Sequence, residues 1–344
     1  MKKTHRHVLA GVGILMVLLL CGGIAGYTCL FRNNMQQEKP GYLYVPTGCS
    51  YDGLMQLLDS AQILRNNQSF RMVARLRKLP GHLRPGRYAI PDGTSNYTLT
   101  SKLRSGDQEA VKLRFNNIRT LDQLAARISR QLEMDSATLM RWLKNDSLLA
   151  AYGVDSATAI CLFLPNTYEC WWTTSAPDFI ARMHREYTAF WNGKRQKKAE
   201  EMGMTPHQVM TLASIVEEEN SFHGEQPRIA GLYINRLQRG MPLQSDPTVK
   251  FALGDFGRKR LLFSDLETDS PYNTYKHAGL PPGPIRMPSI AAIDAVLDYE
   301  HHDYIYMCAK EDFSGRHHFT ASAAEHAANA RRYHEALNRN RINR

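Results

Sequence analysis

The chain has 344 residues, 43% of them hydrophobic and 22% charged, with a formal net charge of +10 at pH 7. Such an apolar fraction can furnish a substantial core, which excludes a disordered chain, and the length suits two domains plus an anchor. The positive balance points to an anionic partner such as a membrane surface or an acidic polymer.

The first seven residues carry Lys2, Lys3 and Arg6, and no charge follows from Val8 to Phe31. About 20 apolar residues span a bilayer, so 8–31 reads as a transmembrane anchor, with 1–7 on the cytoplasmic side and the rest exported by the positive-inside rule. A cleavable signal is the competing reading, but the apolar run exceeds the roughly 7–15 residues such signals use. Cys21 lacks the small preceding residue of a lipidation site, because Leu20 stands there. The expected location is therefore the cytoplasmic membrane, single-pass, and export argues against a nucleic-acid partner. Beyond the anchor, Cys49, Cys161, Cys170 and Cys308 lie too far apart for a zinc ribbon, and no disulfide is assigned.

After a polar linker, 33–40, the pattern predicts a strand at Tyr42–Val45 and a helix at Ser50–Ala61 capped by Ser50. A second helix is expected at Ser69–Leu79 and a strand at Arg87–Ile90, closing a compact module over 41–106. The larger domain is placed at 107–344. It begins with a strand at Ala110–Phe115, helices at Thr120–Leu132 and Asp135–Trp142, and an irregular segment at Phe163–Tyr168. The pair Trp171 and Trp172 reads as core in preference to a sugar-stacking platform. A helix at Asp178–Lys194 leads through a basic linker, Arg195–Lys198, into a central helix with Thr205 as N-cap and Pro206 at its first position. Another helix, Pro227–Arg239, stops at Gly240. A strand at Tyr304–Ala309, a hairpin partner at His317–Thr320, a helix at Ser322–Leu337 and a basic tail complete an α+β chain.

The central helix carries Leu212-Ala213-Ser214-Ile215-Val216 and ends in Glu217, Glu218 and Glu219. Carboxyls at the edge of a buried surface can have a pKa raised toward neutrality, as a general acid needs. Helical spacing puts Glu217 with Met210, Ala213 and Ser214, and Glu219 with Leu212, Ile215 and Val216, so either qualifies. Glu218 is expected to be the most exposed. A solvated acidic helix end is the plainer alternative.

Several consecutive motifs carry a resemblance: Ala213–Glu217, Ile234–Leu237, Gly240–Val249, Tyr272–Tyr275 and Gly279–Ile285, with Pro85–Tyr88, Leu164–Tyr168 and His318-Phe319 matching more weakly. In this order they resemble the YceG-like family of endolytic murein transglycosylases. The resemblance implies an anchored enzyme with a small LysM-like module and a mixed α/β catalytic domain that cuts nascent peptidoglycan within the strand. It implies Glu217, after Ser-Ile-Val, as the catalytic acid, and no metal or cofactor. The sequence departs from the family at Glu218 and Asn220, where lysine and threonine are common.

The implied reaction needs one carboxyl. The acid protonates the oxygen between N-acetylmuramic acid and N-acetylglucosamine, and the muramyl 6-hydroxyl closes on C1 to leave a 1,6-anhydro end. Gln244, Ser245, Asp246, Tyr272, Asn273 and Tyr275 are candidates to bind sugar amides and hydroxyls, with His318 as a further cleft candidate, and loop bracing is the alternative for each. The proline-stiffened segment 279–285 is expected to wall the cleft. Partners are then glycan strands, the membrane and neighbouring wall synthases. His301, His302, Asp303, His317, His318 and His326 offer metal-ligand types for a rival hydrolytic site, but in no established metal spacing. A non-catalytic wall-binding protein is the third class.

Overall fold

The computed structural model describes residues 2–36, 41–220, 222–258 and 261–340. Residues 37–40 of the expected 33–40 linker and the last four residues of the basic tail lie outside them. The chain divides into two compact units: Met1–Leu113 with two short later segments, 131–133 and 168–174, and the remainder through Arg344.

In the first unit, helix α1 covers Lys2–Phe31. Its stretch Leu9–Phe31 has mean hydropathy 2.4 and none of it is buried, so this helix is long and apolar enough to cross a membrane. Strand β1 (Gly41–Val45) pairs antiparallel with β2 (Gly86–Ile90), Leu43 opposite Tyr88. Between them run α2 (Tyr51–Ser60), which Ser50 caps, and α3 (Asn67–Leu76). Helix α3 starts earlier than its apolar spacing predicts, because Asn66 caps it by accepting from the Ser69 amide. Helix α4 (Asn96–Ser105) completes the layer. Leu43, Val45, Leu54, Leu58, Phe70, Tyr88, Leu99 and Leu103 make one buried core. Trp172 packs edge-on against Tyr44 while Trp171 stays 52% exposed, so the tryptophan pair is not a buried core element.

Strands β3 (Val111–Phe115) and β4 (Asn166–Cys170) form a second two-stranded sheet, and the division between the units falls within both strands. The second unit adds α5 (Leu121–Ser129), α6 (Ser136–Leu143), the short α7 (Asp146–Leu149), α8 (Ala176–Phe190) and α9 (Lys194–Glu201). The expected basic linker 195–198 is thus helical. Arg195 is held there by Asp294, through Nε at 2.8 Å, and Lys198 by Asp298.

Helix α10 (Pro206–Glu219) is the axis of this unit. Thr205 and Gln208 form a reciprocal capping box, Pro206 takes the first turn, and every residue from Val209 to Val216 is buried. It packs against α11 (Gln226–Gln238) and against α14 (Ile290–Leu297). Helices α12 (Asp246–Leu253) and α13 (Phe263–Leu266) precede α14. The hairpin β5 (Tyr306–Ala309) and β6 (His317–Thr320) follows, with Cys308 opposite His318, and α15 (Ala323–Arg339) ends the fold. The architecture is mixed α/β with an N-terminal apolar helix.

The proline-stiffened segment is tied to the inner side of α10. Ser214 Oγ accepts from the Ile285 amide at 3.0 Å, and Ile285 itself is buried. A Cβ on Gly283 would sit 2.1 Å from Ala157 O. Gly231, in the middle of α11, lets the chain at 300–302 lie against the helix, since a Cβ there would meet Glu300 O at 2.2 Å. At an open helical site, replacing glycine by alanine stabilises by about 1 kcal/mol. Here the backbone clash reverses the sign, and Gly231→Ala is expected to lower stability by about 1–3 kcal/mol in urea unfolding of the full-length chain in detergent. A gain in stability would contradict the close approach.

Candidate active site

The three terminal carboxylates of α10 point in different directions, because successive residues turn by about 100° around a helix. Glu217 Oε2 accepts from the Ser289 amide at 2.9 Å and lies 3.6 Å from Arg286 Nε. Glu218 is gripped by Arg286 Nη1 at 2.5 Å and Arg119 Nη1 at 2.8 Å. Only 13% of its side chain is exposed, so it is not the solvated member of the trio. Two arginines explain the difference: they bury its charge by pairing it.

Glu219 turns the other way, into a cavity of about 330 Å³ whose wall includes Tyr233, Arg236, Gln244, Asp246, Tyr275 and His317. Its Oε1 accepts from Tyr233 Oη at 2.5 Å and from Ser245 Oγ at 2.5 Å. Burial pushes this carboxyl above the ordinary glutamic acid value, and the negative charge of Asp246 pushes the same way. The Ser245 and Tyr233 hydroxyls and His317 pull against that shift. Burial likewise raises the Tyr233 hydroxyl well above the usual tyrosine value, so it remains a donor.

The floor and rim are braced independently. Arg236, from α11, donates Nε to Ile305 O at 2.7 Å and Nη1 to Leu243 O at 2.8 Å, which fixes the strand entering β5 and the loop before α12. Gln244 adopts a left-handed φ of 52°, and its amide donates to Thr274 O at 3.0 Å. Tyr275 Oη donates to Asp246 Oδ1 at 2.6 Å. Beyond the helix end, Asn220 Nδ2 donates to Glu225 Oε2 at 2.8 Å, and the same oxygen is 3.0 Å from His317 Nδ1. His326, stacked on Tyr306 with ring centroids 5.1 Å apart, also lines the cavity. Burial and Arg236 lower its pKa, so it is neutral at pH 7.

Of the residues singled out from sequence, Gln244, Ser245, Asp246 and Tyr275 gather around Glu219. Tyr272 and Asn273 do not. Tyr272 packs at a tilt against Phe251 with ring centroids 4.7 Å apart, and Asn273 is fully buried, donating Nδ2 to Leu266 O and Thr268 O. His318 is 2.9 Å from Glu311, whereas its neighbour His317 reaches the cavity, as strand alternation requires. Glu217 is not a lining residue of this cavity. Tyr233, Arg236, His317 and His326 also line the cavity, and none of them is among the sugar-binding candidates read from sequence. The histidines bind separate partners, His302 at Arg228 O and His317 at Glu225, and among the described residues no three metal-ligating side chains converge.

A family model described as YceG-like matches residues 43–332. The chain belongs to the YceG-like family. A Bacillus subtilis (strain 168) protein named endolytic murein transglycosylase is 27% identical over 311 residues, covering 86% of this chain and 85% of its own length. A Streptococcus pneumoniae (serotype 2, strain D39) protein of the same name is 28% identical over 335 residues, covering 86% of this chain and 60% of its own length. The crystal structure of a YceG-like protein from Listeria monocytogenes superposes with a TM-score of 0.56 at 28% identity, over 85% of this chain and 99% of the other.

A raised carboxyl pKa makes stability depend on pH. The folded chain holds the Glu219 proton where the unfolded chain, near the ordinary value of about 4.3, has released it, so stability falls as pH rises from there through the folded pKa. Glu219→Gln removes that dependence. The variant is expected to gain thermal stability relative to the parent as pH rises above about 5, with no such gain below about 4. A difference independent of pH would contradict the buried, protonated carboxyl.

Proposed function

We propose that this chain is a peptidoglycan lytic transglycosylase in which Glu219, and not Glu217, is the general acid. One observation carries the choice: Glu219 alone of the three terminal carboxylates lies in the cavity with a pKa raised by burial. The names of the curated relatives support the reaction class. Both hydroxyl donors engage Oε1, which leaves Oε2 to carry the proton.

The reaction balances on that one group. Protonated Glu219 gives its proton to the oxygen leaving C1 of N-acetylmuramic acid as the C1–O bond breaks and oxocarbenium character develops. The carboxylate then takes the proton of the muramyl 6-hydroxyl while O6 bonds to C1, giving a 1,6-anhydro end and restoring the acid. Tyr233 and Ser245 stabilise the carboxylate that forms between the two transfers. With that assignment Gln244, Asp246 and Tyr275, which line the same cavity, hold sugar hydroxyls and amides. In this reading 41–106 is a LysM-like glycan-binding module, 107–344 the catalytic domain, and Leu9–Phe31 an anchor that keeps residues 1–7 inside and the catalytic domain on the outer face, beside wall synthases.

Asp246 gives a specific reason to weigh hydrolysis, because a second carboxylate shares the cavity and ordinary glycosidases use two. Mass spectrometry of glycan digested by the full-length chain separates the two. Anhydromuramyl ends are expected, and reducing ends alone would contradict the intramolecular step.

The pH profile offers a second test. Since the acid must be protonated, kcat/KM is expected to fall as pH rises through the Glu219 pKa. Ser245→Ala removes an interaction that lowers this pKa, so the alkaline limb is expected to move to higher pH, and a move to lower pH would contradict the assignment.

A further inference from the structure

A second cavity, of about 380 Å³, lies in the first unit at the outer end of α1. Its wall includes the last helical turn, Thr28 and Cys29, together with Arg32, Arg65 and the start of α3 at Asn66 and Ser69. The pocket is built, not a chance gap. Asn96, 1% exposed, donates Nδ2 to Cys29 O at 2.9 Å and to Ser69 Oγ at 3.1 Å. Asn34, 6% exposed, donates Nδ2 to Asn66 O at 2.9 Å and to Asn96 Oδ1 at 2.8 Å, and accepts from the Asn66 amide at 2.8 Å. These buried amides lock the end of α1 to α3 and α4 and shape the recess between them.

Two cations, Arg32 and Arg65, face this recess with no carboxylate partner among the described residues, and both are exposed. Asp92 accepts from Asn33 Nδ2 at 3.4 Å. A pair of guanidinium groups at the mouth of such a recess is the chemistry that binds a phosphate, since each guanidinium presents parallel N–H donors to two oxygens.

Depth fixes the source of that phosphate. The 23-residue stretch Leu9–Phe31 is about 35 Å long at 1.5 Å per residue, against a hydrocarbon core of about 30 Å, so its last turn emerges among the headgroups. The rings of Tyr27, Phe31 and Tyr97 cluster at this level, 5.1 and 5.2 Å apart, as interfacial aromatics do. We infer that this pocket binds the phosphate of an anionic membrane lipid in the outer leaflet, with Arg32 and Arg65 as its ligands. Bound lipid ties the first unit to the membrane surface and sets the orientation of the module around the end of its anchor. The inference rests on reading Leu9–Phe31 as a span.

The test uses the full-length chain in detergent, titrated with phosphatidylglycerol or phosphatidylcholine and examined by native mass spectrometry. The parent is expected to retain phosphatidylglycerol in preference to phosphatidylcholine, with an Arg32→Gln/Arg65→Gln double variant losing about tenfold in retention. Arg71→Gln, which removes an equal kind of charge from the same module outside the pocket, is expected to retain the lipid. Equal retention by parent and double variant overturns the proposal, as does an equal loss in Arg71→Gln, which would mark a diffuse charge effect. Complete displacement of the lipid by an equal concentration of glycerol 1-phosphate overturns the lipid source in favour of a soluble phosphate. Failure of the chain to enter lipid nanodiscs contradicts the span itself, whereas entry without lipid preference contradicts the pocket alone.

Discussion

The burial of a single carboxyl group at the end of an otherwise apolar helix governs the larger unit of this protein. Helix α10 is enclosed from Val209 to Val216 by α11 and α14, so it has no freedom to roll. Its rotation is therefore set by packing, and the directions of Glu217, Glu218 and Glu219 follow. Two of these charges are compensated, by Arg286, Arg119 and the Ser289 amide. The third is buried against hydroxyl donors and forms no ion pair with lysine or arginine among the described residues, and its burial favours the protonated form.

This division of labour gives neighbouring residues opposite duties. The paired carboxylates hold the loop around 286–289 against the helix, and in doing so they complete the stable side of the unit. The unpaired one faces the cavity assembled from α11, the loop before α12 and the β5–β6 hairpin. Arg236 joins those three elements through carbonyl groups that would otherwise lack donors. The Asn220–Glu225–His317 contacts fasten the hairpin to the end of α10, so the cavity wall and the acid are positioned by one continuous set of bonds.

The sequence made much of this legible where local chemistry is strong. The Thr205–Pro206 start of α10, the Gly240 stop of α11, the β1 and β2 strands and the β5–β6 hairpin follow from caps, φ preferences and alternation. Helices α9, α12 and α14 do not: α9 is a run of charged residues held by Asp294 and Asp298 from distant sequence, and α12 begins within a polar motif. For the site, Gln244, Ser245, Asp246 and Tyr275 were visible as a polar group, yet Asn273 and Tyr272 in the same motifs turn out to support loops. Helical spacing left Glu217 and Glu219 equivalent, since both adjoin apolar residues. What separates them is the identity of long-range partners, Arg286 for one and Tyr233 with Ser245 for the other, and a periodicity carries no such information. The same limit hid His317 behind His318, because the register of β6 depends on its partner strand.

The most direct test of this account compares turnover of peptidoglycan glycan by Glu219→Gln and Glu217→Gln, each in the full-length chain with folding confirmed by circular dichroism. Loss of the acid should cost about 10²–10⁴-fold in kcat for Glu219→Gln, while Glu217→Gln, which removes only a paired structural charge, should keep activity within about tenfold of the parent. The opposite ranking, with Glu219→Gln active and Glu217→Gln inert, would contradict it.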